Sequence, residues 1–256
     1  RERAIPARPE LLALHPQLPV LYTIEWTRTG RLSAFAIGAD GALTRLSRVE
    51  TLGELADAVA IHPGGRVAYV AHFGNGTLTA LRLGDDGSVL DAQPFVQGNA
   101  RGFFEREHFH DVRVTARGNH LLVTDIGADQ LLCFDIGADG AVSPQPARTI
   151  GFPGHCHPRN LHFHPSGRYA YVGGQWDSML YVLSAEEGVP RRIVAAYTTM
   201  PPDFEGENAK IAQLEVHPDG RTVYVCNRNS NSIAIFSVHD SGMLERIGHQ
   251  RTAGRG

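Results

Sequence analysis

Residues 61–83 read IHPGGRVAYVAHFGNGTLTALRL, and residues 216–238 read VHPDGRTVYVCNRNSNSIAIFSV. Both run from an apolar residue into a polar His-Pro-x-Gly-Arg turn, then an apolar run containing tyrosine, a second polar turn and another apolar run. Residues 163–183 (FHPSGRYAYVGGQWDSMLYVL) repeat the pattern, and residues 114–136 and 14–37 follow it with substitutions in the turn. Anchored on Pro16, Pro63, Ala116, Pro165 and Pro218, the five copies lie 47, 53, 49 and 53 residues apart. Repetition at such a period is the mark of a modular architecture and precedes any local assignment.

Within a copy the apolar runs are four to six residues long and rich in branched, aromatic and leucine side chains (AYV, LTAL, LYVL, IAIF), which favours strands. Gly, Asp, Asn and Ser fill the connections because they take the backbone geometries that reverse a strand. Several short strands per unit without helical spacers describe the blades of a β-propeller, and no unit holds the sustained 3.6-residue period of a helical solenoid. A blade buries both faces against its neighbours, so its strands are expected to read as continuous apolar runs. The expected fold is therefore all-β, a single propeller domain over residues 1–256, with repeat units near 9–50, 51–100, 101–150, 151–200 and 201–249. The one helix-like stretch, residues 51–60, lies where the first strand of a blade could equally begin.

Composition narrows the function classes. The 256 residues are 42% hydrophobic and 20% charged with a net charge of −3, and the basic residues are scattered, which argues against nucleic acid as a partner. No run approaches the roughly 20 apolar residues of a membrane helix. Cys133, Cys156 and Cys226 are too few and too dispersed for a disulfide scaffold or a paired-cysteine metal site, which fits a reducing compartment such as the cytoplasm.

The succession AHFGNGTLTALRL, HFHDVRV with TDIGADQLLCF, PGHCHPRNLHFHPSGRYAYV and HPDGRTVYVCNRNSNSIAIF resembles the seven-bladed lactonase family, which includes propeller-type 6-phosphogluconolactonases and 3-carboxymuconate-lactonising enzymes. The resemblance runs from about Pro9 to Gly256 with the motifs in family order. It implies seven blades where five are visible, and so a fragment; a closed five-bladed ring is the competing expectation. It also implies a small-molecule lactone as substrate and no cofactor.

Opening a lactone needs an activated water and donors for the oxyanion and for the substrate's anionic tail. His108 and His110 stand two apart on an expected strand, which would put both rings on one face. The pair matches the family's His-x-His, implying His108 as general acid or base with His110 in support. Glu105 and Glu107 stand just upstream and could orient an imidazole. Arg159, in Gly154 to Asn160, matches the arginine of the family's Gly-Pro-Arg-His, and Asn160 replaces the histidine that follows, while His157 precedes the proline. Asn227 and Arg228 match the family's Asn-Arg. A planar guanidinium suits bidentate capture of a carboxylate or phosphate. The resemblance thus makes His108, His110, Arg159 and Arg228 catalytic and His157, Gln175 and Asn227 substrate-binding, the groups expected to meet beside a central channel.

Gln175 and Gln213 stand where the family carries acidic residues, and glutamine keeps hydrogen bonds without a proton or charge to give. That favours simple hydrolysis over muconate lactonisation and leaves a non-enzymatic scaffold as a further alternative. The two His-x-His pairs, 108/110 and 155/157, could in principle hold zinc, but no acidic ligand accompanies them and no metal is expected. His15, His62, His164 and His217 belong to the repeated turn and are expected to be structural. Asp125 and Asp129 are expected to cap strand ends.

Overall fold

The computed structural model describes residues 8–97, 108–206 and 209–253, and the regular structure of these residues is all strand. Twenty strands form five four-stranded sheets, each with its strands in chain order. Blade 1 holds β1 (Pro9–Leu14), β2 (Val20–Glu25), β3 (Arg31–Ile37) and β4 (Leu43–Glu50). Blade 2 holds β5 (Ala56–Ile61), β6 (Val67–His72), β7 (Leu78–Leu83) and β8 (Val89–Val96). Blade 3 holds β9 (Phe109–Val114), β10 (His120–Asp125), β11 (Gln130–Asp135) and β12 (Arg148–Gly151). Blade 4 holds β13 (Pro158–Phe163), β14 (Tyr169–Gly174), β15 (Met179–Glu186) and β16 (Val189–Thr198). Blade 5 holds β17 (Ile211–Val216), β18 (Thr222–Asn227), β19 (Ser232–Val238) and β20 (Leu244–Arg251). The helix-like stretch at 51–60 is a bend over residues 52–55 followed by β5 itself. Alternation of side chains across a pleated strand, with both faces covered, gives that sequence its unbroken apolar character.

The chain divides into two compact units: Arg1–Ala128 with Leu132–Thr149, and Asp129–Leu131 with Ile150–Gly256. In the first unit, alternate residues of β6 serve different neighbours. Ala68 and Val70 pack with Tyr22, Ile24 and Leu32 of blade 1, whereas Tyr69 and Ala71 pack with Phe109, Leu121 and Phe134 of blade 3. In the second unit, Tyr171, Leu180 and Val182 of blade 4 pack with Leu214, Val223, Val225 and Phe236 of blade 5. Each buried side chain of this size stabilises the fold by roughly 1.5–3 kcal/mol.

Two polar clips join adjacent blades inside each unit. Nε2 of His15, His62 and His164 lies 3.0, 2.9 and 3.0 Å from the carbonyls of Gly65, Gly118 and Gly220, each in the next blade. A carbonyl only accepts, so Nε2 carries the proton, and Nδ1 accepts from the backbone of its own turn at Leu18, Gly64 and Ser166. Tyr22, Tyr69 and Tyr171 donate their hydroxyls to Gly87, Gly140 and Gly242 at 2.6, 2.7 and 3.3 Å. The turn histidines of blades 1, 2 and 4 are structural, as the repeat implied, whereas His217 of blade 5 faces Asp219 of its own turn, with Nδ1 2.8 Å from Oδ1. In blade 3 the corresponding positions are Thr115 and Leu122, and the Thr115 hydroxyl bonds within its own loop, to Asn119.

Candidate functional site

Five backbone hydrogen bonds place every blade's polar end in one frame. The residue after the second strand donates its N–H to the residue just before the first: Trp26 to Arg8, Phe73 to Leu55, Ile126 to His108, Gln175 to His157 and Arg228 to Lys210, all at 2.9–3.0 Å. We call the acceptors lead residues and the donors exit residues. Four of the leads, Arg8, Leu55, His157 and Lys210, take left-handed φ values of 52°, 51°, 54° and 50°.

Immediately after its first residue, each first strand slips register against the second. The extra residue is Asp57 in blade 2, His110 in blade 3 and Arg159 in blade 4. In blades 1 and 5 the slip spans Glu10 with Leu11 and Ala212 with Gln213. A bulge re-aims the side chain it displaces, and bulges recur beside active sites for that reason. Here it also overturns one expectation: His108 and His110 do not share a strand face, because β9 begins at Phe109 and the slip at His110 breaks the alternation.

In the first unit, His108 and His110 are both buried. The His108 backbone N–H is held by Asp125 Oδ1, which also accepts from Gly127 and Ala128; this is the strand-end cap expected of that aspartate. His108 Nδ1 donates to the Phe73 carbonyl, which makes Nε2 the basic nitrogen of that ring. His110 Nδ1 lies 2.8 Å from Asp57 Oδ2, joining the bulge residues of adjacent blades. The two atoms are out of line for a linear hydrogen bond, and neither has another hydrogen-bond partner among the described residues. Phe73 stands against both imidazoles, with ring centroids 5.0 Å from His108 and 6.2 Å from His110, and Trp26 lies 5.7 Å beyond it. Glu105 and Glu107 lie outside the described residues.

In the second unit, Arg159 donates from Nε to the Ala212 carbonyl at 2.6 Å and from a terminal nitrogen to Gln175 Oε1 at 2.7 Å. Gln175 is neutral, so the bond orients the guanidinium without cancelling its charge. His157 is held by its backbone N–H on Asp129 Oδ1 at 2.6 Å, and its ring lies 5.3 Å from that of Trp176. The Lys210 ammonium sits over the Trp176 ring, 5.3 Å from its centroid. Arg228 is half-buried, and its guanidinium makes no hydrogen bond or ion pair among the described residues. Burial pushes the thiol of Cys156 upward, which disfavours a thiolate nucleophile there.

His108 and His157 are lead residues, His110 and Arg159 bulge residues, and Gln175 and Arg228 exit residues. Asn227 falls outside this frame: its amide donates to the Thr199 carbonyl at 2.7 Å and accepts from the Thr199 hydroxyl at 3.0 Å, so it ties blade 5 to blade 4. Gln213 is turned to Glu215, 3.3 Å away. Sequence reasoning missed Asp57, Trp176 and Lys210. The signal available for all three was position in the repeat, since Asp57 aligns with His110, Lys210 with His157, and Trp176 follows the exit residue.

Repeated four-stranded sheets of this kind, sharing one lead, bulge and exit frame, define a β-propeller. The family model described as "Lactonase, 7-bladed beta-propeller" matches residues 2–256, and the chain belongs to that family. It is 27% identical to the 6-phosphogluconolactonase of Bacillus subtilis over 253 residues, covering 96% of this chain and 71% of the relative. It is 28% identical to an uncharacterised protein of Lactococcus lactis, covering 88% of this chain and 66%, about two thirds, of the relative. In structure it is similar to a periplasmic gluconolactonase of Pseudomonas aeruginosa, with a TM-score of 0.84 at 24% identity over 97% of this chain and 73% of that one. That likeness shows the fold. No helix among the described residues is long and apolar enough to cross a membrane.

Proposed function

We propose that this protein hydrolyses a sugar-acid lactone of the 6-phosphogluconolactone type. The observation that carries the reading is the buried pair of Asp57 and His110, a carboxylate 2.8 Å from an imidazole on the bulges of adjacent blades. A carboxylate beside Nδ1 favours the tautomer with its proton there, leaving Nε2 to accept one. The family resemblance assigned the base to His108; the orienting carboxylate supports His110 instead, with His108 as the neighbouring imidazole.

In this mechanism His110 Nε2 takes a proton from water as the water oxygen attacks the lactone carbonyl carbon. The carbonyl electrons move onto the oxygen as an oxyanion. Collapse of the adduct breaks the bond to the ring oxygen, which takes the proton from His110 and leaves an open-chain hydroxy acid. Within the second unit, Arg159 and Arg228 carry positive charge of the kind an anionic group takes. Lactonase membership and the 6-phosphogluconolactonase relative support the reaction class. Gln175 and Gln213, in place of acidic residues, weigh against muconate lactonisation, because neither amide can carry the transferred proton. Three cysteines without a disulfide fit the cytoplasm.

The test is the hydrolysis of freshly prepared 6-phosphogluconolactone, followed by acid release above the spontaneous rate. Excess hydrolysis that His110→Asn removes supports the proposal, and a rate equal to buffer overturns it.

A further inference from the structure

Among 24 basic residues the chain carries a single lysine, Lys210. It is the lead residue of blade 5, and its carbonyl accepts the N–H of the exit residue Arg228 at 3.0 Å, so the two cations spring from hydrogen-bonded backbone positions. The left-handed φ of Lys210 recurs at three other leads and belongs to the architecture. Its surroundings do not recur. The ammonium lies over the ring of Trp176, which is 38% exposed, and makes no hydrogen bond or ion pair among the described residues. The Arg228 guanidinium is equally without a partner there.

Some cations elsewhere face acids even at exposed positions, as Arg31 with Glu50 and Arg251 with Asp203, while others, such as Arg45 and Arg192, face none among the described residues; what sets Lys210 and Arg228 apart is that they spring from hydrogen-bonded backbone positions. Two cations at the ends of neighbouring strands, both half-buried and neither facing a carboxylate among the described residues, form a positive site. A cation over an indole face is held by the ring's electrostatics rather than by a counter-charge, so it keeps its capacity for an anion. The lysine ammonium is a compact point charge, a recurrent partner of phosphoryl oxygens alongside arginine.

We propose that Lys210, positioned by Trp176 and acting with Arg228, forms a subsite for a dianionic phosphoryl group on the substrate's tail. This rests on the lactonase reading for its substrate, but not for its anion. A phosphate monoester carries a charge of about −1.5 to −2 at neutral pH and matches two cations, whereas a carboxylate or a hydroxymethyl group does not.

Two measurements decide it. In the first, kcat/KM is compared for 6-phosphogluconolactone and for gluconolactone, which lacks the phosphate. Lys210→Ala is expected to lower the phosphorylated/unphosphorylated ratio roughly tenfold, mostly through KM, with Lys210→Arg restoring a large part and Trp176→Ala lowering the ratio by a smaller factor. Equal changes for both lactones, or no change for either, overturn the proposal. The second needs no catalysis: Lys210 is the only ε-amine, so its acylation by an acetylating reagent is read from one peptide by mass spectrometry, with the α-amine as internal reference. Inorganic phosphate and 6-phosphogluconate are expected to slow acylation at least fivefold, and gluconate less than twofold. Absence of selective protection overturns the subsite. Protection in a protein that opens neither lactone overturns the hydrolase reading and leaves the phosphate site standing.

Discussion

His62 reaches out of its own blade to the carbonyl of Gly118, 56 residues later in the chain and 2.9 Å away. Gly118 has φ +74°, and a Cβ there would stand 2.6 Å from His62 Nε2. Gly118→Ala is therefore expected to cost about 2–3 kcal/mol, combining left-handed strain with displacement of the imidazole. Tyr69→Phe, which strips the buried Gly140 carbonyl of its donor, is expected to cost about 1–2 kcal/mol. Urea midpoints of the two variants against the parent check both figures; a shift in neither denies the clips a stabilising role.

Acid should weaken the fold through His72. Its imidazole is wholly buried, donating from Nδ1 to the Thr77 carbonyl and accepting at Nε2 from the Thr51 hydroxyl. Burial lowers its pKa from the ordinary 6.5 to about 4. The unfolded chain binds the proton as pH falls through 6.5, and the folded chain binds it only near 4. Stability is therefore lost across that window, by up to about 3 kcal/mol for this group. Denaturation at pH 7, 5.5 and 4.5 should show the decline, and His72→Gln, already destabilised at pH 7, should show a shallower one. Parallel pH dependences would assign the loss to other groups.

Removing the carboxylate that faces His110 should slow turnover more than it weakens binding. Asp57→Asn is expected to lower kcat for lactone hydrolysis 10- to 100-fold with KM changed less than threefold, and to displace the acidic limb of the pH–rate profile. An unchanged profile would make Asp57 a packing residue.

Gln175→Glu offers a charge test that keeps the shape. The carboxylate would still accept from Arg159, but would cancel the guanidinium charge that glutamine leaves in place. The expected result is a KM for a phosphorylated lactone raised about tenfold, the effect shrinking at high ionic strength. A lowered KM would remove Arg159 from anion binding.

The blades were legible in the amino-acid order because the same turn recurs. His-Pro-x-Gly-Arg needs a glycine at positive φ, and the following apolar run needs two buried faces; both demands leave a mark on composition. His108, His110, Arg159, Gln175 and Arg228 were singled out through family resemblance, and they occupy lead, bulge and exit positions of their blades. The bulge was not legible, since a one-residue slip between Thr124 and Asp125 leaves no compositional trace. Asp57 was missed because its partner His110 comes from another blade, 53 positions on, and the bonds of Asn227 to Thr199 were equally invisible because that partner is likewise remote in the chain. Pairings across blades are set by tertiary packing, and local propensity carries no information about them.

The lead–bulge–exit frame separates what a blade contributes from what keeps it upright. Substituting the side chains at those positions leaves the histidine and tyrosine clips untouched, so the chemistry on offer can drift while the scaffold stays under its own selection. Blade 5 illustrates the freedom: it carries alanine where its neighbour carries Arg159, and lysine where its neighbour carries His157. New specificities in such a protein are reached by editing a short register of residues, one module at a time.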